Sequence, residues 1–358
     1  MTRTEGIKRI PNLTSIRFIL ALFVMLYHIP QFSNNRSFPF FNDWALFHRG
    51  SEAVWMFFSL SGFLILKQLY VEKKATNSIN ILAFYRRRIL RIFPLYYLIV
   101  AIGFLYYQFV LPGLGFEFES HYNLVTGLIL SLTFFANIFS TFAPGGILEI
   151  LWSIAIEEQF YLFAAPLCFL LKPKKIISFL GLFSAGYFVL YFSPYFEHLR
   201  PYNMLFFFFS FGGLCAILMD KTWFYKTIFR TRYLIFTLVV MVFTTPIFKG
   251  ALTLPIYTLL SFVLFGLFIA AMAQKPIRWL ENNTLNYLGK ISYGLYMFHA
   301  VVLQGVGLLY LKIISKFELN NFVNILIINA LVITFTIIIS HFSYAYFELY
   351  FLKKKRKT

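Results

Sequence analysis

The sequence predicts an all-α protein that crosses a membrane about ten times, with both termini in the cytoplasm. Three observations predict this class. Hydrophobic residues fill 59% of the 358 positions and charged residues only 13%, whereas about a quarter of a soluble domain is charged. The mean hydropathy is +0.72. Apolar windows of about twenty residues, long enough to cross a bilayer, recur along the whole chain.

Ten of these windows are expected to be transmembrane helices. They cover residues 12–30, 51–70, 91–110, 152–171, 176–192, 202–219, 233–248, 252–272, 291–311 and 322–346. An eleventh apolar stretch, 123–139, carries several Asn, Ser and Thr residues. Its pattern alone does not decide whether it crosses.

The distribution of basic residues decides the orientation. If 123–139 does not cross, 25 of the 32 Lys and Arg residues face the cytoplasm, and if it crosses the number falls to 14. The positive-inside rule favours the first arrangement. We therefore expect 123–139 to be re-entrant or packed on the outer side. The net charge of +18 then reflects membrane orientation and contact with anionic lipids rather than nucleic acid.

The chain shows no internal repeat and no linker rich in Gly or Ser. We expect one integral-membrane domain over residues 1–358, with no soluble domain. The predicted location is the cytoplasmic (inner) cell membrane, which the chain crosses several times. Cys168 and Cys215 both lie within apolar runs, so neither a disulfide framework nor a metal site is expected.

The first window contains two ionisable residues, Arg17 and His28. On a helix, eleven steps bring them to within roughly 20° of one stripe and separate them by ~16 Å. Ionisable groups at such depths are costly and usually face a protein interior or a wet cavity. A snorkelling arginine and a structural histidine are the simpler alternatives.

The stretch "LWSIAIEEQFYL" places two glutamates, Glu157 and Glu158, about one and a half turns into an apolar helix. Adjacent helical positions diverge by about 100°, so at most one can face a given site. Glu157 shares a face with Tyr161 at i,i+4 spacing. A carboxylate at the depth of His28 could orient its imidazole, although an ion pair without chemistry remains the alternative.

The stretch "FYRRRILRIFP" places four arginines before the third window. By themselves they are typical of a cytoplasmic anchor. Arg88 and Arg91 stand at i,i+3, a spacing that presents two guanidinium groups on one face, and guanidinium groups suit phosphate oxygens. The phosphates could belong to a cytoplasmic cofactor or to an anionic lipid.

Two further stretches carry polar residues inside the membrane. "FFSLSGFLI" places Ser61 and Gly62 in mid-window, where small residues most often let helices approach closely. "ISYGLYMFH" adds His299, and His341 lies in the last window. No two of the intramembrane histidines stand at metal-ligand spacing on one helix, so no metal is expected.

Taken in order, these motifs resemble the membrane acyltransferase-3 family of integral-membrane O-acyltransferases. The resemblance covers almost the whole chain and includes the Arg17–His28 pair, "FFSLSGFLI", "RRRILRIFP", "WSIAIEEQFYL" and "SYGLYMFH". It implies transfer of an acyl group, most simply acetyl, from cytoplasmic acyl-CoA to a hydroxyl of an extracytoplasmic or lipid-linked glycan.

The resemblance also implies residue roles. It marks Arg17, His28 and Glu157 or Glu158 as catalytic, and Arg88 and Arg91, with Arg87 beside them, as the acyl-CoA site. In the implied mechanism, His28 is the general base, a glutamate orients it and Arg17 stabilises negative charge. The substrate path is expected to include Ser61, Tyr161, Trp152, Tyr293 and His299. A glycan transporter or flippase, and transfer of succinyl or a longer acyl group, remain the alternatives.

Overall fold

The computed structural model describes residues 10–355, and within that range every regular element is a helix. The all-α prediction is therefore confirmed. Ten main helices follow each other along the chain. They are α1 (Leu13–Asn34), α2 (Gly50–Thr76), α3 (Ile81–Leu105), α4 (Trp152–Leu170), α5 (Pro173–Phe192), α6 (Phe206–Leu218), α7 (Thr222–Thr244), α8 (Leu254–Met272), α9 (Ser292–Lys312) and α10 (Asn321–Phe342).

Short helical segments connect or extend them. The α-helical ones are Leu111–Gly113, Leu124–Leu132, Ala136–Phe139, Gly146–Glu149, Ile247–Ala251, Asn283–Lys290 and Leu349–Lys355. The 3₁₀ segments are Ala45–His48, Ser140–Phe142, Pro194–Tyr202 and Ile314–Phe317, and π-helical turns span Tyr106–Val110 and Ser343–Glu348.

Nine of the described helices are long and apolar enough to cross a membrane, and the number rises to ten if one bent pair is counted as a span. This agrees with the predicted number of about ten and makes the chain a multi-pass membrane protein. The bent pair is Pro194–Tyr202 with α6, and its two parts meet at 88°.

The predicted span 202–219 is thus shorter than expected. Its helix α6 has 13 residues and rises only about 20 Å, which is less than the ~30 Å hydrocarbon core. Asn203 adopts a left-handed backbone with φ 52° and separates α6 from the preceding 3₁₀ segment. The apolar window did not show this break because hydropathy carries no information on backbone conformation and the residues that follow Asn203 are apolar.

Helix α3 begins about ten residues earlier than its apolar window. Asn80 caps it by accepting a hydrogen bond from the backbone N–H of Ala83 at 2.9 Å, a common N-cap arrangement. Arg88 and Arg91 therefore lie inside the helix rather than before it, and their i,i+3 spacing does put them on one face.

The ambiguous stretch 123–139 does not form one spanning helix. Its longer helix, Leu124–Leu132, has nine residues, and Phe134 at φ 60° interrupts the chain after it. The carbonyl of Ser131 accepts a hydrogen bond from Tyr96 at 2.8 Å, and that of Phe134 accepts one from Gln159 at 2.9 Å. The stretch is too short to cross alone and is attached to α3 and α4.

Helix α2 is the centre of the bundle. It packs against α1, α4, α6 and α8, and α9 packs against α1, α3 and α10. The closest approach is at Gly62, where an added Cβ would lie 1.9 Å from the carbonyl oxygen of Phe209 on α6. Only a residue without a side chain allows this contact. The interpretation of "FFSLSGFLI" as a helix contact is confirmed at Gly62.

The start of α1 is held by the chain that follows α8. The Asn12 side-chain amide donates to the carbonyls of Met272 and Lys275, both at 2.7 Å, and accepts from the Ile277 N–H at 2.9 Å. These bonds set the position of α1 five residues before Arg17. They thereby place the two ionisable residues of α1 in the bundle.

Candidate active site

Five helices, α1, α2, α3, α4 and α9, line a pocket with about 750 Å³ of empty space, part of it open to solvent, near the middle of the bundle. A second void of about 930 Å³ adjoins it toward the end of the bundle that holds the start of α1 and the end of α2. We call the two voids together the arginine cavity. Both are lined by Arg17, Ser61, Arg88, Arg91 and Tyr161.

The three arginines that line this cavity have no ion-pair or hydrogen-bond partner among residues 10–355. Arg88 lies 5.7 Å from the ring centre of Tyr161 and 5.9 Å from that of Phe84, and its Nε is buried without a partner. Guanidinium groups in a membrane protein interior are costly unless they face water or an anion. Their arrangement is suited to an anionic ligand with several oxygens.

One carboxylate in the arginine cavity is held by two hydroxyl groups. The Ser61 hydroxyl donates to Oε1 of Glu157 at 2.6 Å, and the Tyr161 hydroxyl donates to the same oxygen. Ser61 comes from α2, whereas Glu157 and Tyr161 lie one turn apart on α4. Glu157 and Tyr161 therefore share one face of α4, as predicted. The Glu157 carboxylate offsets part of the positive charge of the arginines.

A separate void of about 1130 Å³, part of it open to solvent, lies between the end of α1, the short helix Gly146–Glu149, the start of α4 and α9. We call it the histidine cavity because His28 and His299 line it. The other polar and aromatic side chains around it are Gln31, Asn34, Asn35, Arg36, Glu149, Trp152 and Gln304. Amides, a carboxylate and an aromatic ring together can bind a molecule with many hydroxyl groups.

The two histidine rings face each other in this cavity. Their centroids are 5.2 Å apart and their planes differ by 32°. His299 is fully buried, and its Nδ1 lies 2.5 Å from the carbonyl oxygen of Tyr296. His28 is partly exposed, and no described residue forms a hydrogen bond with its ring. His28 is therefore open to the cavity.

A thin layer of side chains separates the two cavities. The hydroxyls of Ser153 and Tyr296, which line the arginine cavity, are 2.6 Å apart. The Tyr296 hydroxyl also lies 3.1 Å from the carbonyl of Ile150, a residue that lines the histidine cavity.

The sequence pattern predicts that a glutamate contacts His28, and for Glu157 this prediction is wrong. Glu157 lies in the arginine cavity, and His28 lies in the histidine cavity. Trp152 is the residue at which α4 meets the histidine cavity, and Glu157 lies five positions deeper, about 7.5 Å along the helix. The carboxylate that shares the cavity of His28 belongs to Glu149.

The other predicted site residues divide between the two cavities and their surroundings. Trp152 lines the histidine cavity and Tyr293 the arginine cavity. Glu158 lines neither, and its Oε1 is buried without a partner in the described chain. Arg87 also points elsewhere, since its guanidinium lies 4.0 Å from the carboxylate of Glu72.

Several polar residues of the histidine cavity are absent from the sequence motifs. Arg36 follows the end of α1, Glu149 lies in a short helix before α4, and Gln304 lies on α9. Arg36 donates to Oε1 of Gln304 at 2.7 Å, a contact between residues 268 positions apart. No spacing rule on one helix could reveal them, because three separate elements bring them together.

No group of three or more His, Cys, Asp or Glu side chains within residues 10–355 is arranged to hold a metal ion. His341 lies outside both cavities, with its Nδ1 2.5 Å from the hydroxyl of Tyr287. The titratable groups around the voids are thus the three arginines, Lys67, Glu157, Tyr161, Tyr293 and Tyr296 in the arginine cavity, and His28, His299, Arg36 and Glu149 in the histidine cavity.

Comparison with known proteins gives the sequence context of this arrangement. The family profile described as an acyltransferase domain matches residues 10–341. The peptidoglycan O-acetyltransferase OatA of Listeria monocytogenes is 27% identical over 339 residues, which cover 84% of this chain and 50% of that protein. A protein of Acidianus two-tailed virus named "Putative acetyltransferase ORF330" is 26% identical, with 83% of this chain and 84% of that protein covered.

A Staphylococcus aureus protein named "Putative O-acetyltransferase SACOL0978" is 25% identical, over 85% of this chain and 52% of that protein. The chain thus spans about half the length of the Listeria and Staphylococcus relatives. No solved structure matches the chain significantly.

Proposed function

The chain belongs to the acyltransferase-3 family, whose profile covers residues 10–341, and from this premise we propose that it transfers an acetyl group from cytoplasmic acetyl-CoA to a glycan hydroxyl across the cell membrane. One observation carries the proposal. A cavity of unpaired arginines and a cavity with two histidines lie in the same helical interior, separated by a single layer of side chains. A donor site and an acceptor site at opposite ends need this arrangement.

The arginine cavity suits the donor. Arg88 and Arg91 present their guanidinium groups from one face of α3, and Arg17 adds a third from α1. Phosphate groups of acetyl-CoA would supply the oxygens that these unpaired groups lack. The cavity adjoins Lys67 and Ile10, and under the orientation favoured by the basic residues these lie on the cytoplasmic side.

The histidine cavity suits the acceptor. Its amides, Arg36 and Glu149 can form hydrogen bonds with sugar hydroxyls, and Trp152 offers an aromatic face. The Listeria relative is named for acetylating peptidoglycan, and a sugar of the cell envelope is the acceptor class we propose here. The narrow layer at Ser153 and Tyr296 favours a small acyl group over a long one.

In the proposed reaction, His28 removes the proton from an acceptor hydroxyl. The oxygen then forms a bond with the thioester carbonyl carbon, the carbon–sulfur bond breaks, and the thiolate of CoA takes the proton from His28. The Glu157 carboxylate, held by Ser61 and Tyr161, lines the same cavity as Arg17 and offsets part of the arginine charge near the donor. Arg17 lies in the arginine cavity, ~16 Å from His28 along α1, where it binds an anionic phosphate of the donor.

The experiment is a labelling assay in oriented membrane vesicles that contain the full chain. Radiolabelled acetyl-CoA is supplied either only on the side that faced the cytoplasm or only on the opposite side. We expect alkali-labile label on envelope glycan only when the donor is on the cytoplasmic side. Succinyl-CoA in parallel tests the acyl group. A chain that moves glycan without any labelling would be a transporter, and the proposal would fail.

A further inference from the structure

His299 has a fixed tautomer and one unused nitrogen. Its Nδ1 faces the carbonyl oxygen of Tyr296 at 2.5 Å. A carbonyl can only accept a hydrogen bond, so Nδ1 carries the proton and Nε2 carries a lone pair. Nε2 is buried and has no hydrogen-bond partner among the described residues. A buried acceptor that is left unsatisfied is costly, and such atoms are often found where a ligand or a reaction uses them.

His28 is the group that can use this lone pair. Its ring lies next to that of His299, with centroids 5.2 Å apart, and it is open to the cavity on its other side. The charged groups that face the same cavity are Arg36 and Glu149. Arg36 is already bonded to Gln304. Hydrogen bonds of catalytic groups are often long without substrate and shorten in the complex.

We propose that His299 is a positioning residue for His28. This proposal rests on the proposed function of His28 as the general base. When one nitrogen of His28 takes the hydroxyl proton of the acceptor, its other N–H donates to Nε2 of His299. The proton later passes from His28 to the departing thiolate, and His299 neither gains nor loses a proton. A neutral imidazole thus performs the orienting role that the sequence pattern suggested for a glutamate.

Two variants of similar shape separate this role from a purely structural one. In His299→Asn the side-chain amide occupies the position of Nδ1, so the bond to the Tyr296 carbonyl is kept and the acceptor at Nε2 is lost. In His299→Gln the amide oxygen reaches the position of Nε2, so the acceptor is kept. A structural role predicts that Asn is tolerated at least as well as Gln. The positioning role predicts that His299→Gln is more active than His299→Asn.

The measurement is acetyl transfer from labelled acetyl-CoA to envelope glycan in membranes, with the amount of folded protein determined for each variant. We expect kcat to fall about 10²-fold in His299→Asn, the lower end of a general base's contribution, with an unchanged KM for acetyl-CoA. His299→Gln should be at least about tenfold faster than His299→Asn. Equal rates, or a faster Asn variant, would overturn the proposal.

A second measurement uses the wild-type chain and does not depend on the folding of His299 variants. The ¹⁵N chemical shifts of the His299 ring should show a protonated Nδ1 and a free Nε2, and the Nε2 shift should change in His28→Ala. An unchanged shift would refute the contact. If the shift changes but the wild type transfers no acetyl group at all, the contact stands and the proposed function fails.

Discussion

At the scale of single residues, the unpaired arginines are the most informative groups in the molecule. Arg17, Arg88 and Arg91 line one cavity from two helices, and none has an ion-pair or hydrogen-bond partner among the described side chains. Ionisable residues inside a membrane protein usually mark a substrate path. Here three positively charged side chains lie together, and Glu157 offsets only part of their electrostatic repulsion.

The first prediction concerns the donor. Replacing Arg88 and Arg91 together by alanine should raise the KM for acetyl-CoA at least about tenfold, because each charge-assisted hydrogen bond is worth about 1.5–3 kcal/mol. Lysine should restore binding only in part, since it lacks the planar fork. Steady-state kinetics in membranes measure the change.

Arg86→Ala is the matched control. Arg86 precedes Arg88 by two positions on the same helix, but it is exposed and lines neither cavity. Its removal should leave the KM unchanged. If the double variant inserts correctly and binds acetyl-CoA normally, the arginines of α3 serve only as membrane anchors.

The second prediction separates the two adjacent glutamates. Glu157→Gln should lower kcat/KM about 10- to 100-fold, because the carboxylate that accepts from Ser61 and Tyr161 loses its charge beside the arginines. Glu158→Gln should stay near the wild-type value, since Glu158 faces neither cavity. The same transfer assay measures both variants. Equal losses of kcat/KM in the two variants would show that both glutamates affect the stability of the protein rather than the site.

Residue types and spacing were sufficient to identify most of the arginine cavity. The i,i+3 pair of α3, the stripe of α1 and the i,i+4 pair of α4 each follow from helical geometry. The histidine cavity was only partly predictable, because Arg36, Glu149 and Gln304 meet through tertiary packing. The wrong prediction for Glu157 has the same origin, because the depth of a residue on α4 depends on where that helix begins relative to α1.

At the scale of helices, the crossing of α2 and α6 holds the centre of the bundle together. Gly62 and Gly212 form a reciprocal contact, and a Cβ added to Gly212 would lie 2.1 Å from the carbonyl oxygen of Ser59. The neighbouring atoms are backbone, so they cannot move aside as a side chain could. The polar residue Ser61 lies on the same helix and reaches Glu157 only if α2 keeps this position.

The third prediction follows from this crossing. Gly212→Ala should lower the free energy of unfolding by about 1–3 kcal/mol, the usual cost of overpacking. The measurement is a thermal unfolding curve of the purified protein in detergent. Gly186→Ala on α5 is the control, because no atom lies within 4 Å of its added Cβ. An unchanged Tm in Gly212→Ala would mean that α2 and α6 can move apart without a loss of stability.

Helix boundaries were less predictable than the existence of the helices. The start of α3 depends on the Asn80 cap, which lies well before the apolar window. The shortness of α6 depends on the left-handed residue Asn203, which lies at the start of its apolar window. Local backbone conformation, and not hydropathy, decides both.

At the scale of the whole molecule, the two cavities lie toward opposite ends of the bundle, and the proposed function assigns the donor to one and the acceptor to the other. The number and order of the helices could be predicted because a bilayer requires each apolar window to be helical. The orientation rests on the basic residues alone, since 25 of 32 face one side when 123–139 does not cross.

The fourth prediction tests that orientation. A reporter that is active only outside the cytoplasm, fused to the C-terminus, should give no signal, and the same reporter in the loop around Arg36 should be active. Cells that produce each fusion at equal amounts provide the measurement. An active C-terminal reporter would place the arginine cavity on the outer side, where no acetyl-CoA is available.

The central claim is that His28 carries an acetyl transfer to surface glycan. Mass spectrometry of glycans from cells with the wild-type chain, with His28→Ala and without the protein tests it most directly, and His341→Ala is the control because its ring lies outside both cavities. We expect the mass of an acetyl ester with the wild type and His341→Ala, and a loss of about 10²–10⁴-fold in transfer rate with His28→Ala. Near-normal acetylation with His28→Ala, or no mass difference between cells with and without the protein, would contradict the account.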